Sequence, residues 1–253
     1  MSARRSALIT GGSSGIGLAC ARTLHREGWD VSLVGRRESA LLHAADSIQA
    51  GGGDGEVATF IADLGTPDAP GGVVEQHTAS FGAIDALVAG AGNYDLDDVR
   101  SVTAERWDTT LNLHLRGAVL AAGAAARHMS AAGCGRIVLL SSVNGLHSEP
   151  ESIAYSAAKT AIISVARSLA VDLAPGGVQA NAVAPGWVTT PMTEAHLAAT
   201  SAEQLRRVNP MGRAGTADEI AGLVRYLIVD APDFLTGATI TIDGGQTALA
   251  PMP

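Results

Sequence analysis

Short apolar runs alternate with longer helical stretches along the 253-residue chain. Most of the runs lack polar alternation, which is typical of strands buried on both faces of a parallel sheet. The predicted strands cover residues 7–10, 31–35, 57–62, 86–90, 136–141, 178–184 and 238–243. The predicted helices cover residues 16–27, 38–49, 73–81, 103–129, 152–174 and 217–229. Sustained over seven strands, this alternation predicts an α/β fold, a doubly wound parallel sheet flanked by helices.

The organisation and composition indicate one globular domain over residues 1–253. No linker, low-complexity block or solenoid-length repeat interrupts the pattern, and 47% hydrophobic residues with 17% charged residues are ample for a large core. A net charge of −8 argues against nucleic acid or an anionic membrane as a partner. No apolar run approaches the ~18 residues of a membrane span, so a cytoplasmic protein is expected.

The cysteines and several histidines are predicted to be structural. Cys20 and Cys134 lie far apart in apolar stretches, so neither a metal site nor a disulfide framework is expected, and both should pack in the core. His25, His43 and His77 are interpreted as solvated positions on helices. No metal ligands are therefore predicted.

A glycine-rich segment, Thr-Gly-Gly-Ser-Ser-Gly-Ile-Gly at residues 10–17, joins the first strand to the first helix. Its glycines let the backbone approach a pyrophosphate, and a helix N-terminus offers free N–H groups. The spacing T-G-x-x-x-G-x-G differs from the common G-x-G-x-x-G fingerprint. The predicted cofactor contacts in this loop are Gly11, Ser13, Ser14, Gly15, Ile16 and Gly17.

The only lysine of the chain, Lys159, stands against sixteen arginines and follows Tyr155 by four residues. Positions i and i+4 share a helix face, so the phenol and the ammonium can meet. A nearby cation favours phenolate, so Lys159 is expected to lower the pKa of Tyr155 and make it a general acid/base. An ordinary exposed pair on a helix is the alternative.

These motifs resemble those of the short-chain dehydrogenase/reductase family over the full length of the chain. Ser142 precedes Tyr155 by thirteen residues, and the segments 181–186, 236–237 and 243–245 match later family motifs. The resemblance implies a Rossmann fold, with a cofactor half at about 1–140 and a catalytic and substrate half at about 141–253. It also implies that Tyr155 donates a proton, Ser142 bonds the carbonyl oxygen and Lys159 bonds the nicotinamide ribose. The further cofactor contacts that it implies are Asp63, Leu64, Ala91, Gly92, Pro185, Gly186, Val188 and Thr190.

The end of the second strand predicts the cofactor. NAD-dependent members usually carry an acid there, which bonds the ribose 2′-hydroxyl and would repel a 2′-phosphate. Here the sequence is Gly35-Arg36-Arg37. Glycine leaves room, and two guanidinium groups can hold a phosphate, so NADPH is predicted. A solvated basic pair is the alternative.

One position departs from the family pattern. The family often carries a catalytic asparagine 28 residues before the serine, where this chain has His114. Imidazole can hold water and relay a proton, so a fourth catalytic role is one interpretation. It predicts a limb from His114 in the neutral range of the pH–rate profile. A merely packed helix histidine is the other interpretation.

The predicted substrate site lies in the loops after strands four, five and six, with Tyr94, Val143, His147, Trp187 and Met192 as candidate contacts. Few charges in these loops favour an apolar or aromatic ketone, free in solution and belonging to secondary metabolism. The most similar members are 3-oxoacyl-carrier-protein reductases, so reduction of an acyl-carrier-protein or CoA thioester is the alternative. A non-catalytic, cofactor-binding regulator is the alternative of another class.

The long apolar helices 103–129 and 152–174 carry more alanine and leucine than one sheet face can cover. Related proteins pair these helices across a two-fold axis. A homotetramer is therefore expected, with a dimer as the alternative.

Overall fold

A computed structural model describes residues 4–249 and contains a seven-stranded parallel sheet. Its strands are β1 Ser6–Thr10, β2 Asp30–Gly35, β3 Val57–Ile61, β4 Ala86–Ala89, β5 Gly135–Leu140, β6 Val178–Pro185 and β9 Thr239–Ile242. A separate two-stranded parallel pair, β7 Val188–Thr189 and β8 Gly215–Thr216, lies outside the predicted strands. The order β3-β2-β1-β4-β5-β6-β9 confirms the predicted doubly wound sheet.

Helices cover both faces of this sheet and create two apolar cores. Their bounds are α1 Gly15–Arg26, α2 Glu38–Ala50, α3 Ala69–Phe81, α4 Ala104–Leu111, α5 Gly117–Ala132, α6 Ile153–Leu173, α7 Glu194–Ala198, α8 Ala202–Val208 and α9 Ala217–Arg225. Helices α1, α2 and α9 pack on one face, and α3, α5 and α6 pack on the other. Among residues 4–249, no helix has the length and apolarity needed to cross a membrane.

The helix predicted over residues 103–129 contains an irregular turn. A π-helical segment, Asn112–Arg116, joins α4 to α5 and holds His114. Such π turns insert one residue into an α-helix and often occur at functional sites. Helical periodicity alone therefore assigns the wrong face to residues near this turn, and only the structure defines where the His114 side chain lies.

Three predictions about titratable residues are wrong. His25 and His77 are buried rather than solvated. The His25 ring contacts the carbonyl oxygens of Gly52 and Gly55, so it anchors the loop before β3. The His77 ring bridges the Ser32 and Ser6 hydroxyl groups at 2.7 and 3.0 Å, and burial lowers its pKa to about 4. Cys134 is exposed, because it lies in the turn after α5 instead of in the core.

The strand order reverses between β1 and β4: β2 and β3 follow on one side of β1, and β4, β5 and β6 follow on the other. There the Thr10 hydroxyl accepts hydrogen bonds from the backbone N–H groups of Gly90 and Ala91, at 2.9 and 3.1 Å. These bonds hold the carboxyl ends of the two strands in fixed positions. Open α/β sheets bind ligands at such switch points.

Candidate active site

A cavity of about 520 Å³ opens at the carboxyl ends of β1 and β4. It brings together most of the predicted cofactor residues, from the glycine loop to the segment after β6. The predicted residues in its wall are Gly11, Ser13, Ser14, Gly15, Ile16, Gly17, Arg36, Arg37, Leu64, Ala91, Gly92, His114, Tyr155, Lys159, Pro185 and Thr190.

The glycine loop has the geometry that a dinucleotide requires. Gly11 has φ +71°, and a Cβ atom there would lie 2.8 Å from the Gly90 carbonyl oxygen. A Cβ atom on Gly17 would collide with the Gly11 carbonyl. Helix α1 begins after Ser14, whose side chain caps none of the first amides. These N–H groups remain available to an anion, so the residues present fit a pyrophosphate.

Three predicted cofactor residues lie outside the wall of this cavity: Asp63, Gly186 and Val188. The Asp63 carboxylate instead accepts a hydrogen bond from the Gly65 backbone, at 3.0 Å, and Gly186 lines a neighbouring cavity. Sequence reasoning also missed several apolar and small residues of the wall. The main ones are Ala62, Leu113, Leu140, Ser141 and Pro191. Most of these residues lie at the end of a strand or are adjacent in sequence to a predicted residue, and this position could have been used to predict them.

A second, smaller cavity of about 60 Å³ contains the predicted serine and four of the five predicted substrate residues. Tyr155 and Met192 belong to the walls of both cavities. The second wall comprises Tyr94, Ser142, Val143, Asn144, Glu149, Tyr155, Gly186, Trp187, Met192 and Thr193. Of the candidate substrate contacts, His147 lies outside both walls.

Sequence reasoning missed three residues of the second cavity, Asn144, Glu149 and Thr193, and of these Glu149 carries a carboxylate. Its carboxylate oxygen Oε2 accepts hydrogen bonds from the Tyr94 hydroxyl, at 3.2 Å, and from the Asn144 amide, at 3.3 Å. The available signal was the pair Glu149 and Glu151, the two acidic residues in the loop 143–154 after β5. The wall of this cavity therefore combines aromatic, apolar and neutral polar residues with one carboxylate.

Tyr155 lies at the junction of the two cavities. Its pKa is raised, not lowered as predicted from its proximity to Lys159. The pKa of Tyr155 is raised to about 12, chiefly by burial, while the Ser142 hydroxyl acts in the opposite direction and the Glu149 charge raises it further. Its ring meets the Tyr94 ring edge-on at 4.9 Å. The phenol is therefore protonated at neutral pH, which suits a proton donor.

Lys159 is buried, and its ammonium group has a partner other than the phenol. The Nζ atom donates to the Leu140 carbonyl oxygen at 2.8 Å and lies 5.4 Å from the centre of the Tyr155 ring. Burial lowers the pKa of Lys159 to about 8. The predicted lowering of the Tyr155 pKa was therefore wrong for this structure, because desolvation outweighs the attraction to a lysine held by Leu140.

His114 packs edge-on against the Tyr155 ring, with 5.3 Å between ring centres. Its Nε2 atom lies 3.1 Å from the backbone nitrogen of Asn93 and 2.9 Å from the side-chain Oδ1 atom of the same residue, so Asn93 holds this edge of the ring in either neutral tautomer. Within residues 4–249 the buried Nδ1 atom has no hydrogen-bond partner. Gly92 is required here, because a Cβ atom at that position would collide with the imidazole.

The predicted titration of His114 in the neutral range was wrong. Burial, and next the charge of Lys159, hold the pKa of His114 well below its usual value. The imidazole is therefore neutral throughout the neutral range, and only its hydrogen-bonding capacity remains available to the site.

We expect His114→Asn to keep near-wild-type turnover and His114→Leu to lose about tenfold, the effect of one hydrogen bond of ordinary strength. Neither variant should change the neutral part of the pH–rate profile, because the imidazole does not titrate there. Measuring kcat against pH for the three proteins checks both statements. Equal turnover of the leucine and asparagine variants would make His114 a packing residue.

The chain is similar to known proteins over nearly its whole length. A family profile described as enoyl-(acyl carrier protein) reductase matches residues 11–247. A cis-4-hydroxycyclohexanecarboxylate dehydrogenase of Sinomonas cyclohexanicum is 36% identical, with 98% of each chain covered. A 3-oxoacyl-[acyl-carrier-protein] reductase of Synechocystis is 35% identical, with 95% of this chain and 96% of that protein covered.

A solved structure of levodione reductase superimposes with a TM-score of 0.92 at 32% identity, over 97% of this chain and 98% of that one. The doubly wound sheet, the glycine loop and the Ser142–Tyr155–Lys159 group thus occur together in a chain whose relatives interconvert alcohols and ketones. The protein belongs to the short-chain dehydrogenase/reductase family, whose members are oxidoreductases that use nicotinamide cofactors.

Proposed function

We propose that this protein is an NADPH-dependent ketoreductase that converts an apolar or aromatic ketone of secondary metabolism to a secondary alcohol. One observation carries the proposal: Tyr155 lies in the walls of both cavities, with Ser142 in the smaller one and Lys159 in the larger one. A protonated phenol therefore lies where the large cavity, which suits a cofactor, meets the smaller cavity, which contains the candidate substrate contacts.

The residues of the larger cavity would hold the cofactor. The open amides of α1 suit its pyrophosphate, and Arg36 and Arg37 suit a 2′-phosphate. When bound, NADPH would supply the hydride to the carbonyl carbon. We propose the remaining sequence-based contacts, Asp63, Gly186 and Val188, as further cofactor residues.

The protein side chains would stabilise and then neutralise the negative charge that develops on the carbonyl oxygen. Tyr155 donates its proton to this oxygen, and the Ser142 hydroxyl hydrogen-bonds it as its charge grows. The oxygen thereby becomes a hydroxyl and Tyr155 becomes a phenolate. The Lys159 ammonium favours this phenolate until a proton from solvent restores the phenol.

A screen of NADPH oxidation against cyclic ketones, aromatic ketones and 3-oxoacyl thioesters tests the proposal. We expect turnover of neutral cyclic or aromatic ketones. Turnover confined to acyl-carrier-protein or CoA thioesters would favour the alternative function, which the similarity to a 3-oxoacyl-[acyl-carrier-protein] reductase supports. Against that alternative, residues 131–135 and 174–177 at the ends of two long helices carry no charge for an acidic carrier. No turnover with any substrate would favour a cofactor-binding regulator.

The Arg36→Ala/Arg37→Ala double variant should raise KM for NADPH at least tenfold more than KM for NADH. Both side chains are exposed at the mouth of the cavity, where loss of charge-assisted bonds to a phosphate affects only the phosphorylated cofactor. Steady-state kinetics with both cofactors measures the ratio. Arg26→Ala, at the opposite end of α1, is the matched control and should change neither KM. Equal effects of the double variant on both cofactors would contradict the predicted NADPH preference.

We also propose a homotetramer. Leu120 on α5 and Val171 on α6 are exposed apolar side chains, at 40% and 76%, and Phe234 before β9 is fully exposed. Burial of such positions between copies would remove apolar surface from water. Light scattering at micromolar concentration should give a tetrameric mass, and a monomeric mass would refute the assembly.

A further inference from the structure

The wall of the smaller cavity contains one ionisable carboxylate. Among the described residues that line this cavity, Glu149 is the only acidic or basic side chain. The others are aromatic, aliphatic, hydroxyl or amide residues, apart from the glycine. A ligand that enters the cavity therefore meets a single negative charge in an otherwise neutral environment.

Neutral partners fix this carboxylate in place. Tyr94 and Asn144 both donate to Oε2, and the Glu149 backbone carbonyl accepts a hydrogen bond from the Ser152 hydroxyl at 2.7 Å. Within residues 4–249, Oε1 receives no hydrogen bond and no cation pairs with the carboxylate. The carboxylate thus keeps one oxygen without a protein donor, in the cavity wall to which the proton donor Tyr155 also belongs.

The charge of Glu149 reaches the reacting group. It contributes to the raised pKa values of both Tyr94 and Tyr155. The same negative charge acts on any ligand in the cavity. Between two charged groups a few ångströms apart near a protein surface, the interaction energy is large enough to change the binding affinity severalfold or more. A ligand carboxylate would be repelled, whereas a hydroxyl could donate to the free oxygen.

We propose that Glu149 determines substrate charge selectivity: the pocket takes a neutral ketone that carries a hydroxyl group and rejects ketones that carry a carboxylate. This inference rests on the proposed ketoreductase function. It refines the substrate class from an apolar ketone to one with an apolar ring and a hydrogen-bond donor remote from the carbonyl.

The kinetic test uses three ketones of one ring size: cyclohexanone, 4-hydroxycyclohexanone and 4-oxocyclohexanecarboxylate. For the wild type, kcat/KM should be highest for the hydroxyketone and at least about tenfold lower for the carboxylate than for cyclohexanone. In Glu149→Gln, which keeps the size and an acceptor oxygen, the ratio of carboxylate to cyclohexanone should rise by about tenfold or more. Glu75→Gln, the same charge change on the exposed surface of α3, is the matched control and should leave the ratio unchanged.

A binding experiment separates this inference from the ketoreductase function. Calorimetry with NADP⁺ present measures binding of cyclohexanol, cis-1,4-cyclohexanediol and cyclohexanecarboxylate to the wild type and to Glu149→Gln. If no ketone is reduced but the variant gains affinity for the carboxylate by about tenfold, the ketoreductase proposal fails and the charge selectivity stands. If ketones are reduced and the carboxylate ratio is the same in both proteins, or if none of the three ligands binds, the charge selectivity is overturned.

Discussion

Tyr155→Phe is expected to fold normally, bind NADPH and lose turnover by a factor on the order of 10²–10⁴, the usual contribution of a positioned acid. The phenol is the group that the two cavities share, and burial raises its pKa to about 12, so it holds a proton to donate at neutral pH. The variant keeps the ring and its edge-on contacts with Tyr94 and His114. Only the transferable proton is lost.

Steady-state kinetics on the best ketone of the screen measures this loss, and NADPH fluorescence checks that the cofactor still binds. Tyr226→Phe removes a hydroxyl from the half-exposed turn after α9 and is the matched control, with turnover expected to stay at the wild-type level. Retention of more than about a tenth of wild-type turnover by Tyr155→Phe would remove Tyr155 from the role of proton donor.

Lys159→Arg is expected to lose turnover by about 10² or more although the charge is kept. The ammonium is buried, and its bond to the Leu140 carbonyl occupies a site shaped for a compact head on a flexible stem. The wide, planar guanidinium must either displace the β5 backbone or move its charge away from the phenol. Thermal unfolding of the variant separates lost stability from lost positioning.

The pH dependence gives a second test of Lys159. Burial lowers the pKa of Lys159 to about 8, so its charge is present below that pH and is lost as the pH rises through it. The rate of ketone reduction should therefore fall above about pH 8 in the wild type. In Lys159→Arg the remaining activity should lack this fall, because a guanidinium stays charged. Wild-type turnover in the arginine variant would show that the identity of the lysine is unimportant.

Much of the fold could be predicted because it depends on local patterns. Continuous apolar runs mark strands that both sheet faces bury, and all seven predicted strands occur in the sheet. The glycine loop could be placed because its position between β1 and α1 is set by adjacent elements. The π turn at Asn112–Arg116 could not be predicted, since residues 112–116 contain no glycine or proline to mark an irregular turn.

The sequence by itself determined the sheet, the glycine loop and the spacing of Ser142, Tyr155 and Lys159, because each depends on neighbours along the chain. Only the tertiary structure decided which groups surround them. It placed Leu140 at the Lys159 ammonium and Glu149 at the substrate cavity. It also set the directions of the pKa shifts of Tyr155 and His114. Burial and contacts between distant segments control these properties, and desolvation of a charge depends on everything packed around it.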